Sequence, residues 1–86
     1  MPTFTVEIVR SAAKELKALP KWAKQAVAKA LAGLEENPFP SGFKKLQGMK
    51  SIFRLRCGNY RVVYGVNTDD GLVEVFRIRH RKDAYD

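Results

Sequence analysis

Cysteine is almost missing from this sequence: Cys57 stands alone among 86 residues, so no internal disulfide can brace the fold, and a lone thiol agrees with a reducing compartment. Stability must then come from packing. Long apolar runs are missing too. No stretch approaches the ~20 residues a membrane span needs, and Met1-Pro2-Thr3-Phe4 lacks the basic-then-apolar organisation of a signal peptide. The expectation is a cytoplasmic protein with no membrane partner. One histidine and one cysteine cannot make a tetrahedral zinc site without carboxylate help, and no glycine-rich phosphate loop of the Walker or dinucleotide type occurs. The carboxylates are dispersed, with Asp69 and Asp70 in a turn signal, Glu35 and Glu36 at a helix end, and Glu7 and Glu74 in strand patterns. None of these pairs suggests a magnesium cage. Neither a metal nor a cofactor is expected.

Acidic residues are also scarce. Sixteen Lys and Arg face nine Asp and Glu, a formal net charge of +7 with pI near 9.9, which favours polyanionic partners. The excess is concentrated. Between Phe43 and Arg61 lie Lys44, Lys45, Lys50, Arg54, Arg56 and Arg61 with no acidic residue among them. Lys14, Lys17, Lys21, Lys24 and Lys29 read instead as solvated helix faces. Apolar residues at 45% against 29% charged fit a folded globular chain, and this length makes a single domain, residues 1–86.

Phe4, Val6 and Ile8 alternate at period two, predicting a strand over residues 3–9. Ser11 is positioned to cap a short helix over 12–19, and Pro20-Lys21-Trp22 opens a second. On that second helix Ala23, Ala26, Val27, Ala30, Leu31 and Leu34 share one face, and Asn37-Pro38 stops it. So short a connection predicts an antiparallel helical hairpin. Residues 39–48 read as a loop with Leu46 its core anchor. Strands resume at Ile52–Cys57, turn at Gly58-Asn59, return over 60–66, turn at Asp69-Asp70-Gly71, and finish with Leu72–His80. In the last strand Phe76 and Ile78 share one parity, and Val75, Arg77 and Arg79 the other. The expected fold is α+β, in the order β-α-α-β-β-β: an N-terminal strand, a helical hairpin and a three-stranded antiparallel meander, with the helices on one face of the sheet. The other face would then hold Arg54, Arg56 and Arg61, together with Arg77, as a concave positive surface suited to a nucleic-acid strand.

RNA carries its own nucleophile, the 2′-hydroxyl. A protein that cleaves it need only accept that proton, stabilise charge on the phosphorane and protonate the leaving 5′-oxygen. Arginine suits the middle task through its planar, permanently charged fork. A tyrosine or lysine can act as base where neighbouring cations depress its pKa. His80, Arg81 and Tyr85 are the available proton-handling groups. For His80, which continues the parity of Phe76 and Ile78, a structural role is as well founded as an acid/base role. Tyr85 lies one residue from the end of the sequence, where it could equally be idle or pack on the sheet. Tyr60 and Tyr64 share the parity of Val62 and read as core, Cys57 as a small apolar filler, and Trp22 as a helix-packing or interface residue.

The string Leu55-Arg56-Cys57-Gly58-Asn59-Tyr60-Arg61-Val62-Val63-Tyr64, preceded by Leu46-Gln47-Gly48 and followed by His80-Arg81-Lys82-Asp83-Ala84-Tyr85, resembles the RelE/ParE superfamily of bacterial and archaeal toxins. His-Arg with a tyrosine four residues after the arginine points to the RelE branch. The resemblance implies a toxin of a type II toxin–antitoxin system, silenced by a cognate antitoxin. Its implied activity is that of a ribosome-dependent, metal-independent endoribonuclease, which cleaves mRNA in the A site to a 2′,3′-cyclic phosphate. Contacts to rRNA are implied as well. By that resemblance Arg61 contacts the scissile phosphate, Arg81 lies near the leaving group, and Tyr85 sits by the 2′-hydroxyl or base. Arg54 and Arg56 hold the mRNA or tune the base. Ile52 departs from the pattern, since the best-studied RelE-type member has lysine there; a glutamate base, used by some relatives, has no counterpart, and the general base stays open. Two other functions fit the same residues: a ParE-like inhibitor of DNA gyrase, and an inactive member that only binds RNA or antitoxin.

Overall fold

The computed structural model describes residues 4–40, 43–45 and 52–80. Strand β1 (Thr5–Ile8) turns Val6 and Ile8 toward the core, as their spacing predicts. Helix α1 spans Arg10–Lys17, starting and ending two residues earlier than the sequence reading. Ser11 is not its cap. Val9 holds that place in extended conformation with no side-chain capping bond. Its N–H donates to the Val75 carbonyl at 3.0 Å, and its own carbonyl accepts the Ala13 N–H at 2.9 Å. The strand therefore hands over to the helix without a loop, and sheet pairing rather than a capping side chain fixes the helix start.

Helix α2 spans Lys21–Leu34 behind Pro20, whose carbonyl accepts the Lys24 N–H at 2.8 Å. It buries Ala23, Val27, Leu31 and Leu34 and half-buries Ala30. Ala26, expected on the same stripe, is exposed, because the buried stripe is narrower than the apolar one. Past Leu34 the chain tightens through Glu36 and Asn37 N–H bonds to the Gly33 carbonyl and reaches a buried Pro38.

Strands β2 (Phe43–Lys45), β3 (Ile52–Cys57), β4 (Tyr60–Asn67) and β5 (Leu72–His80) complete a five-stranded sheet in the order β1-β5-β4-β3-β2. β3, β4 and β5 form the expected antiparallel meander, while β1 joins the far edge parallel to β5. β2 corrects the loop reading of this stretch: it pairs antiparallel with β3, Lys44 opposite Arg54. Two consecutive lysines on a three-residue edge strand carry no alternating apolar signal, and charged edges of this kind resist further pairing. Leu46 lies outside the described residues. The β3–β4 turn falls at Gly58-Asn59, with Gly58 at φ 60, a left-handed conformation that glycine adopts freely. The β4–β5 turn is fastened by Asn67, which donates to Asp70 at 2.9 Å and accepts the Asp70 N–H at 3.1 Å.

A bulge lies between β4 and β5. Val63 opposes Arg77 but Tyr64 opposes Val75, leaving Phe76 as the extra residue. The shared parity expected for Phe76 and Ile78 is thereby broken. Val73, Val75 and Ile78 all face inward, and the Phe76 ring lies over Gly65, its Cε2 2.9 Å from where a Cβ would stand. Leu55, Tyr60, Val62, Tyr64 and Val66 meet the buried residues of both helices in one core. Beyond β1 the edge of β5 is closed by α1. Glu15 accepts the Ile78 N–H at 2.9 Å and the Arg79 Nε–H at 3.1 Å.

Tyr64 is wholly buried, and its hydroxyl donates to the Pro38 carbonyl at 2.8 Å, tying the end of the helical layer to the centre of the sheet. Burial pushes its pKa up to about 12 from 10. Since the folded form keeps the proton, the stabilisation is complete below pH 10 and is lost as pH rises toward 12. Tyr64→Phe, which orphans the Pro38 carbonyl, is expected to cost about 1–3 kcal/mol in denaturant titrations. It should also flatten the fall in stability between pH 10 and 12.

Candidate nucleic-acid interface

Alternation along paired strands decides which cations meet. On β3, Phe53, Leu55 and Cys57 face the helices, so Arg54 and Arg56 rise from the open face. On β4, Tyr60, Val62 and Tyr64 turn inward, leaving Arg61 outward and directly opposite Arg56. β2 adds Lys44, directly opposite Arg54. These four line one hollow of about 250 Å³. Two cross-strand pairs of like charge are held side by side, which concentrates positive charge on this face. The hollow is built to receive negative charge, and guanidinium forks suit it to phosphate.

Other residues singled out by sequence are distributed differently. Arg77 is exposed on the open face opposite Val63, beside the hollow rather than in it. Lys45 registers with Phe53 and so leaves β2 on the helical side, exposed. His80 registers with Tyr60, and its ring meets that tyrosine edge-to-face at 5.2 Å, on the sheet face opposite Arg61. Trp22, 60% exposed, packs its ring edge on Tyr60 from α2 at 6.1 Å. Lys50, Arg81 and Tyr85 lie outside the described residues. Burial raises the Cys57 thiol pKa, which keeps it protonated and agrees with a filler rather than a nucleophile.

Sequence reasoning missed Arg79 and its partner Glu15. Arg79 stands opposite Arg61 on the open face, and its ion pair with Glu15 removes part of its charge from the patch. The parity of Arg77 and Arg79 could have placed it there. Nothing in the sequence pairs it with a carboxylate 64 residues away.

Over residues 6–85 the chain matches the family described as the ParE toxin of type II toxin–antitoxin system, parDE. It is 34% identical over 85 residues to RelE1 of Methanocaldococcus jannaschii, covering 95% of this chain and 94% of that protein. To Toxin RelE of Mycobacterium tuberculosis it is 30% identical over 83 residues, covering 95% and 86%. Its fold is similar to the archaeal RelE–RelB complex from Pyrococcus horikoshii OT3, with TM-score 0.84, 31% identity, and coverage of 95% of this chain and 99% of that one. It is also similar to the toxin–antitoxin complex RelBE2 of Mycobacterium tuberculosis, with TM-score 0.81, 28% identity and coverage of 94% and 100%. The chain belongs to the RelE/ParE superfamily of type II toxin–antitoxin toxins, on its RelE-like side.

Opposed like charges make a direct prediction. Arg56→Gln is expected to leave the fold intact in thermal unfolding while removing one cation from the hollow. It should also weaken binding to single-stranded RNA and lower the slope of log affinity against log salt by about one.

Proposed function

We propose that this toxin is a ribosome-dependent, metal-independent endoribonuclease that cleaves mRNA in the A site. The observation that carries this reading is the hollow in which Lys44 faces Arg54 and Arg56 faces Arg61. In the proposed reaction the 2′-oxygen of one nucleotide attacks the adjoining phosphorus and loses its proton to a base. Charge building on the phosphorane oxygens is held by Arg61, with Arg54 and Arg56 gripping the flanking backbone. The bond to the 5′-oxygen then breaks, that oxygen takes a proton, and a 2′,3′-cyclic phosphate remains. Arg81 is assigned to the leaving group and Tyr85 to the 2′-hydroxyl or base. Lys45, Lys50 and Arg77 are assigned to the outlying mRNA or to rRNA.

The geometry of His80 favours a supporting role over acid/base work, since its ring packs on Tyr60 away from the hollow. The natural inhibitor is an antitoxin. Solved relatives are complexes with RelB, and we assign this chain an acidic, helical antitoxin segment that offsets part of its +7 charge. Cytoplasmic location follows from a ribosomal target. A second reading, inhibition of DNA gyrase, draws support from the ParE name of the matched family; a third, an inactive binder of RNA or antitoxin, would show as expression without growth arrest.

Primer extension on mRNA in programmed 70S ribosomes tests the proposal, with gyrase supercoiling assayed in parallel. Wild type should cut within the A-site codon, and Arg61→Ala should lower the rate by roughly 10²-fold or more. Tyr85→Phe reports whether that hydroxyl takes part. Inhibited supercoiling without mRNA cleavage would overturn the nuclease reading. Co-expressed antitoxin should co-purify with the toxin and abolish cleavage.

A further inference from the structure

The open face has a second recess, next to the arginines along β3. It measures about 340 Å³, within the range of small-molecule sites, and is lined among others by Ile52, Gly65, Phe76, Glu74, Asn67 and Asp69. Its floor exists because of a glycine. A Cβ at Gly65 would stand 2.9 Å from Phe76 Cε2 and 3.3 Å from Ile52 Cδ1, so the Phe76 ring and Ile52 close over bare backbone. The ring is there because of the bulge, which turns Phe76 away from the core. Phe76 remains half-buried, with aromatic surface still facing out.

Glu74 registers with Gly65 on one side and with Glu7 of β1 on the other. Among the described residues its carboxylate has no hydrogen-bond or ion-pair partner. Asn67 is already committed to Asp70, which leaves the carboxylates of Glu74, on the strand, and Asp69, on the turn, as the acceptors of the recess. Glu7, Asp69 and Glu74 make this end of the face negative, so a phosphate is repelled here and a neutral group with N–H donors is welcome.

The two recesses adjoin. Ile52 and Arg54 are alternate residues of one strand, about 6.6–6.8 Å apart. A strand of RNA with its phosphates in the Lys44–Arg54–Arg56–Arg61 hollow would bring a neighbouring base over Ile52. We propose that the Gly65–Phe76–Glu74 recess is a nucleobase subsite: Phe76 stacks on the base, and the Glu74 carboxylate selects bases that present amino groups. This inference rests on the RNA-binding reading above. Guanine fits best, because its N1–H and N2–H are adjacent donors that one carboxylate accepts together. Cytosine and adenine offer an amino group beside a ring acceptor. Uracil offers one N–H between two carbonyl oxygens that repel the carboxylate. Recognition of unstacked bases by aromatic stacking and edge hydrogen bonds is general to single-stranded RNA.

The test uses 2′-O-methyl pentanucleotides, which lack the attacking hydroxyl, in fluorescence anisotropy with the free toxin. The sequences are UUUUU, UUGUU, UUAUU and UUCUU. UUGUU should bind about tenfold tighter than UUUUU, with the other two between. Glu74→Gln should narrow that ratio below about threefold, and Phe76→Leu should weaken UUGUU; circular dichroism and thermal unfolding confirm that each variant folds. Glu74→Gln is close to isosteric and keeps the test valid where Phe76→Leu does not fold. Equal affinity for all four sequences, with binding still salt-dependent and sensitive to Arg61→Gln, overturns the base subsite and leaves the backbone reading intact. Absence of salt-dependent binding removes that reading and the subsite with it. Variants that keep the base preference but lose the antitoxin complex assign the recess to the protein partner and overturn the proposal.

Discussion

Strand β4 is paired on both sides, and its alternation is the constraint on which the two faces of the molecule depend. Tyr60, Val62 and Tyr64 point into the helical layer while Arg61 and Val63 point out. Because side chains on a strand alternate strictly, β3 and β5 must follow in register, and a slip of one residue would bury the arginines. The cost of burying an unpaired guanidinium makes that alternative register inaccessible. Hydrophobic burial on one side thus fixes the positions of charge on the other.

The bulge at Val63/Tyr64 divides the open face into two chemistries. Before it the outward residues Arg61 and Arg56 stand opposite one another across the ladder, and Lys44 and Arg54 do the same. After it Phe76 turns outward over Gly65, with Glu74 beside it. Cations on one part of the surface and an aromatic, carboxylate-bearing recess beside them are the two features on which the proposed RNA-binding function draws. Glu15 adds to the same design by closing the edge of β5 at Ile78 and tempering Arg79.

The helices serve this face indirectly. α1 takes its start from the Val9–Val75 hydrogen bond, and the segment that follows α2 is held where the Pro38 carbonyl accepts the buried Tyr64 hydroxyl. Both attachments run to the sheet, so the helical layer acts as a clamp on β4 and β5. Antitoxin-bound relatives share this architecture across nearly their whole length.

The sequence by itself determined the β-α-α-β-β-β order without the short β2, the inward faces of β1, β3 and β4, the Gly58-Asn59 turn and the outward Arg54, Arg56, Arg61 and Arg77. These follow from local periodicity and from the conformational freedom of glycine, which act over a few residues. It also carried the family, through the Arg-Cys-Gly-Asn-Tyr-Arg string and the His-Arg-Lys-Asp-Ala-Tyr ending. Tertiary structure alone decided the rest. That β2 pairs, that β1 lies parallel beside β5, that Val9 rather than Ser11 begins α1, and that Glu15 reaches Arg79 all depend on contacts between residues far apart in the chain. The bulge that sends Phe76 outward is of the same kind: it is a mismatch between two strands, and neither strand's own alternation records it.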